Sequence, residues 1–221
     1  MTQQYAQERY ARQEIIKGWI QKKLTDARVV VLGHDALSEF VNLGLTALGI
    51  GEIRVVTNAK NGKQENIISR FKDYTNYNGN EKAKIFSYVL RKINPSVNVI
   101  DIHTKLFNNN YTVVFNNPKV VIDVTNDKDS KMLCAEYCKE HKVDFISAIA
   151  GPSYGIVDVN PDSQKLKEHF VLEKEKQDLI VSQILAGFVI DEVRKILLPL
   201  NANEKLCKKT LRYNLTGTER F

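Results

Sequence analysis

Short runs of apolar, β-branched residues alternate along this chain with segments whose apolar residues recur at helical spacing. Residues 28–32 form an apolar, β-branched run that stops at Gly33, and residues 40–48 carry apolar side chains at helical spacing. Gly49 ends this predicted helix, and residues 53–56 are again β-branched. Strand, glycine turn, helix and strand in this order are typical of the first βαβ unit of a dinucleotide-type fold, in which the helix N-terminus faces a phosphate.

The same alternation continues to the C-terminus. Further strands are predicted at residues 97–102, 119–124, 144–148, 151–159 (after a turn) and 208–214. Helices are predicted at residues 79–92, 130–142 and 177–197, with a short helix or turn within 105–115 and a short helical piece at 67–71 in the polar loop 57–77. Alternating strands and helices predict an α/β fold with a Rossmann-like, mainly parallel sheet and helices on both faces.

The two ends of the chain complete this organisation. Residues 5–24 predict an N-terminal helix or a pair of helices, whose apolar face would consist of Ile15, Ile16, Trp19, Ile20 and Leu24. The helix predicted at residues 177–197 has an almost entirely apolar face, which is typical of a core or a dimer interface. We therefore expect a single domain over residues 1–221, with an N-terminal arm (1–27), a Rossmann-like core (28–160) and a C-terminal helix and tail (161–221).

Composition narrows the class of protein. Of the 221 residues, 43% are hydrophobic and 26% are charged, which is ordinary for a globular protein, and no membrane-spanning run is visible. The net charge of +6 comes from lysines spread along the chain, so we expect no nucleic acid partner. The three cysteines form no evident disulfide framework, and we therefore expect a cytoplasmic protein.

One group of residues resembles a metal site. Cys134, Cys138 and His141 lie at helical spacing on one predicted helix, and thiols and imidazoles are zinc ligands. A fourth ligand is not apparent in the sequence, and free cysteines are commonly small buried side chains. We therefore expect no zinc.

The turn after the first strand has unusual chemistry for a phosphate site. Such a turn normally carries several glycines, so that the backbone can approach the phosphate closely. Here Gly33 is followed by His34 and Asp35, and Glu39 lies in the first turn of the predicted helix. A carboxylate at that place is favoured by the helix dipole, but it repels an incoming triphosphate.

Several motifs, in order, resemble the ThiF/MoeB family of the ubiquitin-activating-enzyme superfamily. Residues 9–13 (RYARQ) resemble the family's RYxRQ, residues 48–53 (LGIGEI) resemble its GVGxI, and residues 123–127 (DVTND) resemble its D-x-T-D-N. Residues 79–83 together with 93–95 have the spacing of its G-x-x-K-A and I-N-P, and residues 66–70 are similar to its NLxRQ. The resemblance covers nearly the whole chain.

This resemblance implies ATP and Mg²⁺ as cofactors and the transfer of AMP to a carboxylate. The carboxylate would be the C-terminal glycine of a ubiquitin-like or sulfur-carrier protein, or a small-molecule carboxylate in cofactor biosynthesis. By resemblance, Arg12 reaches into the nucleotide site of a neighbouring subunit, so a homodimer or a heterodimer with a related subunit is implied. Arg70 and Lys82 match the phosphate-contacting arginine and lysine, and Gly33 matches the first glycine of the loop.

The chain also departs from the family pattern at ligand-facing positions. Three glycine positions of the G-x-G-G-x-G loop are lost, which leaves His34 and Asp35 in the nucleotide loop. The ribose-binding acid of the family corresponds to Thr57, and its metal-holding aspartate corresponds to Asn126, with Asp127 adjacent as a substitute. No cysteine stands where a thioester-forming one is expected.

Two functional hypotheses follow. The chain is either an ATP-dependent adenylating enzyme with a weakened ATP and Mg²⁺ site, or a catalytically degenerate subunit that keeps the fold, binds ATP weakly or not at all, and serves as a dimer partner or scaffold. An NAD-dependent oxidoreductase is disfavoured, because the acidic ribose position is missing.

Overall fold

The computed structural model describes residues 9–33, 35–57, 79–169, 178–204, 206–207 and 210–215, without the side chains of residues 79–83 and 168–169. The predicted helical piece at 67–71 lies outside the described residues. The β-strands are β1 (Arg28–Leu32), β2 (Glu52–Thr57), β3 (Asn98–His103), β4 (Val120–Asp123), β5 (Asp144–Ala150), β6 (Tyr154–Val159) and β7 (Leu211–Asn214). The helices are α1 (Ala11–Glu14), α2 (Gln21–Thr25), α3 (Ala36–Leu48), α4 (Gly79–Ile93), α5 (Tyr111–Phe115), α6 (Lys128–His141), α7 (Ser163–His169) and α8 (Leu179–Leu197).

All seven strands form one sheet in the order β3-β2-β1-β4-β5-β6-β7. Strands β1 to β5 are parallel, whereas β6 pairs antiparallel with β5 and β7 antiparallel with β6. The predicted Rossmann-like α/β fold with a mainly parallel sheet is thereby confirmed. The strand order reverses between β1 and β4, and in such sheets the crevice beyond the carboxyl ends at this switch point is the ligand-binding place.

The sheet is covered on both faces, so the parallel strands are buried. One core contains the helices α3, α4 and α8, whose buried side chains include Leu45, Leu90 and Val189. The opposite core contains α5, α6 and α7, with Phe115, Tyr137 and Leu166 as buried examples. The predicted apolar face of the long C-terminal helix α8 belongs to the first core. Helix α7 was not predicted from the sequence, because its residues SQKLKEH lack an apolar stripe.

The N-terminal arm differs from its predicted apolar face. Two short helices, α1 and α2, are present, as one of the two predicted alternatives has it, but only Leu24 of the predicted face is fully buried. Ile15, Ile16 and Ile20 are exposed by 83%, 44% and 50%, so this part of the prediction is wrong. Helix α1 ends at Glu14, before these isoleucines, and Gly18, with φ +89°, lies between α1 and α2.

No helix among the described residues is both long and apolar enough to span a membrane.

Candidate functional site

The turn between β1 and α3 forms the first wall of the crevice at the switch point. Gly33 has φ +142°, a backbone conformation that favours glycine. A Cβ atom at Gly33 would lie 2.7 Å from Val124 Cγ2 and 3.0 Å from Ser38 Cβ. The glycine is thus required here by the close approach of the chain that follows β4, and its role is structural even without a ligand.

Helix α3 begins at this turn with a cap from its own chain. Asp35 is the N-cap residue, and its Oδ1 accepts a hydrogen bond from the Ser38 backbone N–H at 2.9 Å. Ser38 Oγ donates in return to the Asp35 carbonyl oxygen at 2.8 Å. A helix N-terminus is a site for anions because its first N–H groups lack helical partners. In this chain a carboxylate already lies at that place.

Glu39 is placed differently from what the sequence suggested. It lies in the first turn of α3 as expected, but only 3% of it is exposed. The carboxylate bonded to the Ser38 amide at the helix end is that of Asp35, and Glu39 adds a second, buried carboxyl group in the first turn. Both lie at the positive end of the helix dipole, which favours negative charge there.

The second wall of the crevice is the segment that follows β4. Asp123, the last residue of β4, is fully buried, and its Oδ1 accepts hydrogen bonds from the backbone N–H and the Oγ1 of Thr125 at 2.8 and 2.6 Å. Ser130 Oγ donates to Asp123 Oδ2 at 2.6 Å. This carboxylate holds the strand end to the start of α6. Because it is buried and bonded within the protein, it is not presented to a ligand.

Lys131 is the buried counter-charge of Asp123. The side chain is fully buried, and Nζ lies 3.5 Å from Asp123 Oδ1. Nζ also donates to the Asp123 carbonyl oxygen and, at 3.1 Å, to the Ala148 carbonyl oxygen at the neighbouring strand. Burial lowers the pKa of Lys131, and the negative charge of Asp123 opposes this shift. Lys131 thus ties β4, β5 and α6 together beneath the crevice.

Sequence reasoning did not identify Lys131 or its pair with Asp123. A lysine in the second turn of a helix is normally solvated, and its bond to Ala148 joins residues 17 positions apart. The sequence signal that could have identified Lys131 is its spacing. It follows the strand-end residue Asp123 by eight positions, and this spacing places a side chain of α6 back at the end of β4.

Two residues of the predicted metal site lie at this edge. Asn126 is exposed, whereas Asp127 is the N-cap of α6, where its Oδ1 accepts from the backbone N–H groups of Asp129 and Ser130 at 2.9 and 3.3 Å. Among the residues that the structure describes, no group of three or more His, Cys, Asp or Glu side chains could hold a metal ion. Protein-bound Mg²⁺ commonly takes one or two carboxylates and several waters or phosphates. Asn126 and Asp127 offer one carboxylate, which already caps a helix.

Thr57 ends β2 at the same carboxyl edge. It is buried, and its Oγ1 is hydrogen-bonded to Nδ1 of His103 at 2.9 Å. His103 ends β3 and is the register partner of Thr57, so the position to which the resemblance assigns a ribose-binding acid holds a pair of side chains bonded to each other.

Most of the remaining predicted site residues lie outside the described part of the chain. His34 and Arg70 lie outside the described residues, as does the side chain of Lys82, although its backbone belongs to α4. Arg12 lies exposed on α1. The sequence prediction for these residues stays a prediction.

The arm that carries Arg12 is held at the opposite end of α3 from Gly33. Asn94 Nδ2 donates to Tyr10 Oη at 2.6 Å and to the Thr46 carbonyl oxygen at 2.9 Å. Arg9 Nη1 donates to the Ile93 carbonyl oxygen at 2.7 Å. The RY and I-N-P motifs thus anchor the arm to the C-terminal end of α3, which is about 20 Å from its N-terminus at 1.5 Å per residue.

Comparison with known proteins agrees with this fold. The chain is similar to two solved structures, a crystal structure of E. coli MccB with succinimide (TM-score 0.70, 16% identity, 94% of this chain and 71% of that chain) and a crystal structure of PaaA (TM-score 0.72, 15% identity, 97% and 84%). A structure of E. coli MccB with ATP is also similar (TM-score 0.68, 17% identity, 88% of this chain and 65% of that chain). At these identities the likeness shows the fold.

One curated relative and one family model complete the comparison. The maize (Zea mays) adenylyltransferase and sulfurtransferase MOCS3-1 is 25% identical over 118 residues, which are 53% of this chain and 25% of the maize protein. The chain thus covers about a quarter of that relative's length. The model of the ThiF family matches residues 7–220. Because this match spans nearly the whole chain, the protein belongs to the ThiF family.

Proposed function

We propose that this chain is a pairing subunit of the adenylating ThiF family that does not itself hold ATP in the family's position. The observation that carries the proposal is the hydrogen bond from the Ser38 amide to the Asp35 carboxylate at the N-terminus of α3. A triphosphate would have to displace this bond and then lie beside a carboxylate of like charge. Both effects oppose binding, because like charges repel strongly where water is partly excluded.

The other polar groups of the crevice support the same conclusion. Asp123 is bonded to Thr125, Ser130 and Lys131, and Asp127 caps α6. Adenylation needs cationic groups and a metal to stabilise charge that develops on the phosphates. In the described part of this crevice, the buried cation is already paired and the carboxylates already have donors. The crevice is thus consistent with a subunit whose fold is kept for pairing with a partner and not for binding ATP.

In this proposal, Arg12 is the residue through which such a subunit acts on its partner. Its side chain is exposed on an arm that lies at the far end of α3 from its own Gly33 turn. We propose that Arg12 contacts the nucleotide phosphates in the site of a second subunit, a related chain that adenylates the carboxylate. The exposed isoleucines Ile15, Ile16 and Ile20 on the same arm give that contact an apolar surface.

Calorimetry with Mg²⁺ and ATP tests the first part of the proposal. The native chain is expected to bind ATP weakly or not at all, and Asp35→Gly, which removes the charge and the cap, is expected to bind at least tenfold more tightly. Asp162→Gly is the matched control, because Asp162 Oδ1 accepts a hydrogen bond from the Lys165 backbone N–H at the start of α7 in the same way, but at the amino edge of the sheet. Micromolar affinity of the native chain for ATP would overturn the proposal.

A complex with a related adenylating subunit tests the role of Arg12. Arg12→Ala is expected to weaken ATP binding in the partner's site while the chain stays folded. Lys17→Ala, also exposed on the arm, should leave that affinity unchanged. Equal ATP affinity with and without Arg12 would remove this role.

Adenylation by the chain itself is the second candidate. The observation that favours it is the ordered segment after β4, in which Thr125 is fixed by Asp123 and Asn126 is exposed at the crevice. The substrate would be the C-terminal carboxylate of a ubiquitin-like or sulfur-carrier protein, or a small carboxylate, and Arg70 and Lys82 would contact the phosphates. Exchange of labelled pyrophosphate into ATP that depends on such a carboxylate would establish this activity.

A further inference from the structure

A second cavity lies at the edge of the sheet opposite the nucleotide turn. Its volume is about 810 Å³, which is within the usual range of small-molecule sites. It is bounded by α6 from Met132 to its C-terminal end, the start of β5 and the segment between β6 and α7. Helix α6 runs from the carboxyl edge of the parallel strands to their amino edge, and the start of β5 and the segment after β6 place the cavity towards the amino edge.

The wall of the cavity is apolar with one half-buried charge. Its apolar residues include Met132, Ala135, Phe145 and Pro161. Asp144 is half-buried, whereas the other charged residues of the wall are exposed; these are Glu136, Lys139, Lys142 and Asp162. The charge nearest the interior is therefore negative, and the two exposed lysines extend from the rim into water.

The Asp144 carboxylate is held in place by a hydrogen bond and lines the cavity. Its Oδ1 accepts a hydrogen bond from Asn160 Nδ2 at 2.8 Å, and Asn160 Oδ1 accepts from the Phe145 backbone N–H at 2.7 Å. The Cys138 thiol lies in the same wall, and burial, followed by the charge of Asp144, raises its pKa to about 12. The thiol is thus neutral.

We propose that this cavity binds a small amphipathic cation, an amine carried on an apolar body, with the amine at Asp144 and the apolar body against Met132 and Phe145. Two features favour a cation over an anion. A partly desolvated carboxylate gains most from a positive partner, and α6 ends at the cavity with the negative end of its dipole. This site is independent of the nucleotide crevice, so its failure leaves the proposed function untouched.

Two probes of matched shape and opposite charge test the proposal on the native chain. 2-Phenylethylamine and 3-phenylpropanoate are titrated separately while the backbone amide signals of Val143 and Phe145 are followed by NMR. The amine has nine non-hydrogen atoms, and at an ordinary ligand efficiency it binds with a dissociation constant of about 10 mM or tighter. We expect the amine to bind at least tenfold more tightly than the carboxylate. Equal affinities, or no binding of the amine below this concentration, would overturn the proposal.

Variants of the chain then test whether the probes bind in this cavity. Asp144→Asn is expected to remove the tenfold preference for the amine, whereas Asp129→Asn, at the other end of α6, should preserve it. Ala135→Phe fills the cavity and is expected to abolish binding of both probes, which keeps the test informative if Asp144→Asn does not fold. Amine binding that survives Ala135→Phe in a folded protein would place the probe elsewhere and refute the assignment.

Discussion

Asp35 Oδ1 accepts a hydrogen bond from the Ser38 backbone N–H at 2.9 Å, so the helix that begins at the glycine turn is capped by a carboxylate of its own chain. This contact gives the helix end the anion that it would otherwise take from a ligand. The positive end of the helix at this turn is therefore already occupied by a carboxylate.

The cap predicts the effect of two substitutions at one position. Asp35→Ala removes the acceptor and should lower the free energy of unfolding by about 1 kcal/mol, the usual value of an N-cap. Asp35→Asn keeps an acceptor and should cost only a few tenths of that value, although it removes the charge. Urea denaturation measures both. An Asp35→Ala variant as stable as the native chain would show that the cap contributes nothing.

The buried pair of Asp123 and Lys131 predicts a large loss on single substitution. Lys131→Met leaves the Asp123 carboxylate buried without its counter-charge, and such changes cost about 3–5 kcal/mol. Combining it with Asp123→Asn should restore part of the stability, because no unpaired charge is then buried. A double-mutant cycle by chemical denaturation measures the coupling, and additive effects would contradict the pairing.

Two glycine substitutions should have opposite signs. Gly33→Ala forces a side chain into a positive-φ conformation and towards Val124 Cγ2, so it should destabilise the protein by about 1–3 kcal/mol. Gly187 lies in α8, where an added Cβ has no atom within 4 Å, so Gly187→Ala should stabilise by about 0.5–1 kcal/mol. Melting temperatures of the two variants check this. A shift of the melting temperature in the same direction in both variants would contradict the difference in backbone conformation and surroundings between the two glycines.

The contact between α8 and the segment after it predicts acid sensitivity. Hydrogen bonds from Arg194 and from the Leu200 backbone N–H lower the pKa of Glu204 to about 2 from its ordinary value of 4.5. Since the pKa is lower in the folded state, this stabilisation is complete above about pH 4.5 and is lost as the pH falls towards 2. The melting temperature of Glu204→Gln should therefore fall less than that of the native chain when the pH is lowered from 6 to 2. An identical pH profile for the variant would rule out the contact as its source.

Local pattern was sufficient for most of the core. β1, β2 and β4 are β-branched runs, and burial of such a run on both faces needs a covered parallel sheet. The arm was less predictable, because Ile15, Ile16 and Ile20 follow a helical spacing that Gly18 interrupts. Apolar spacing shows which side chains share a face, but it does not show whether that face meets the core.

The sequence by itself determined the α/β order of elements, the glycine turn and the resemblance to the ThiF family. These depend on spacings within a few residues of one another, which a chain carries without its fold. Only the tertiary structure decided that Asp35 caps α3, that Glu39 is buried, and that Lys131 lies beneath the crevice between Asp123 and the Ala148 carbonyl oxygen. The state of a charged side chain depends on whether water or protein surrounds it, and distant strands and helices set those surroundings when they pack.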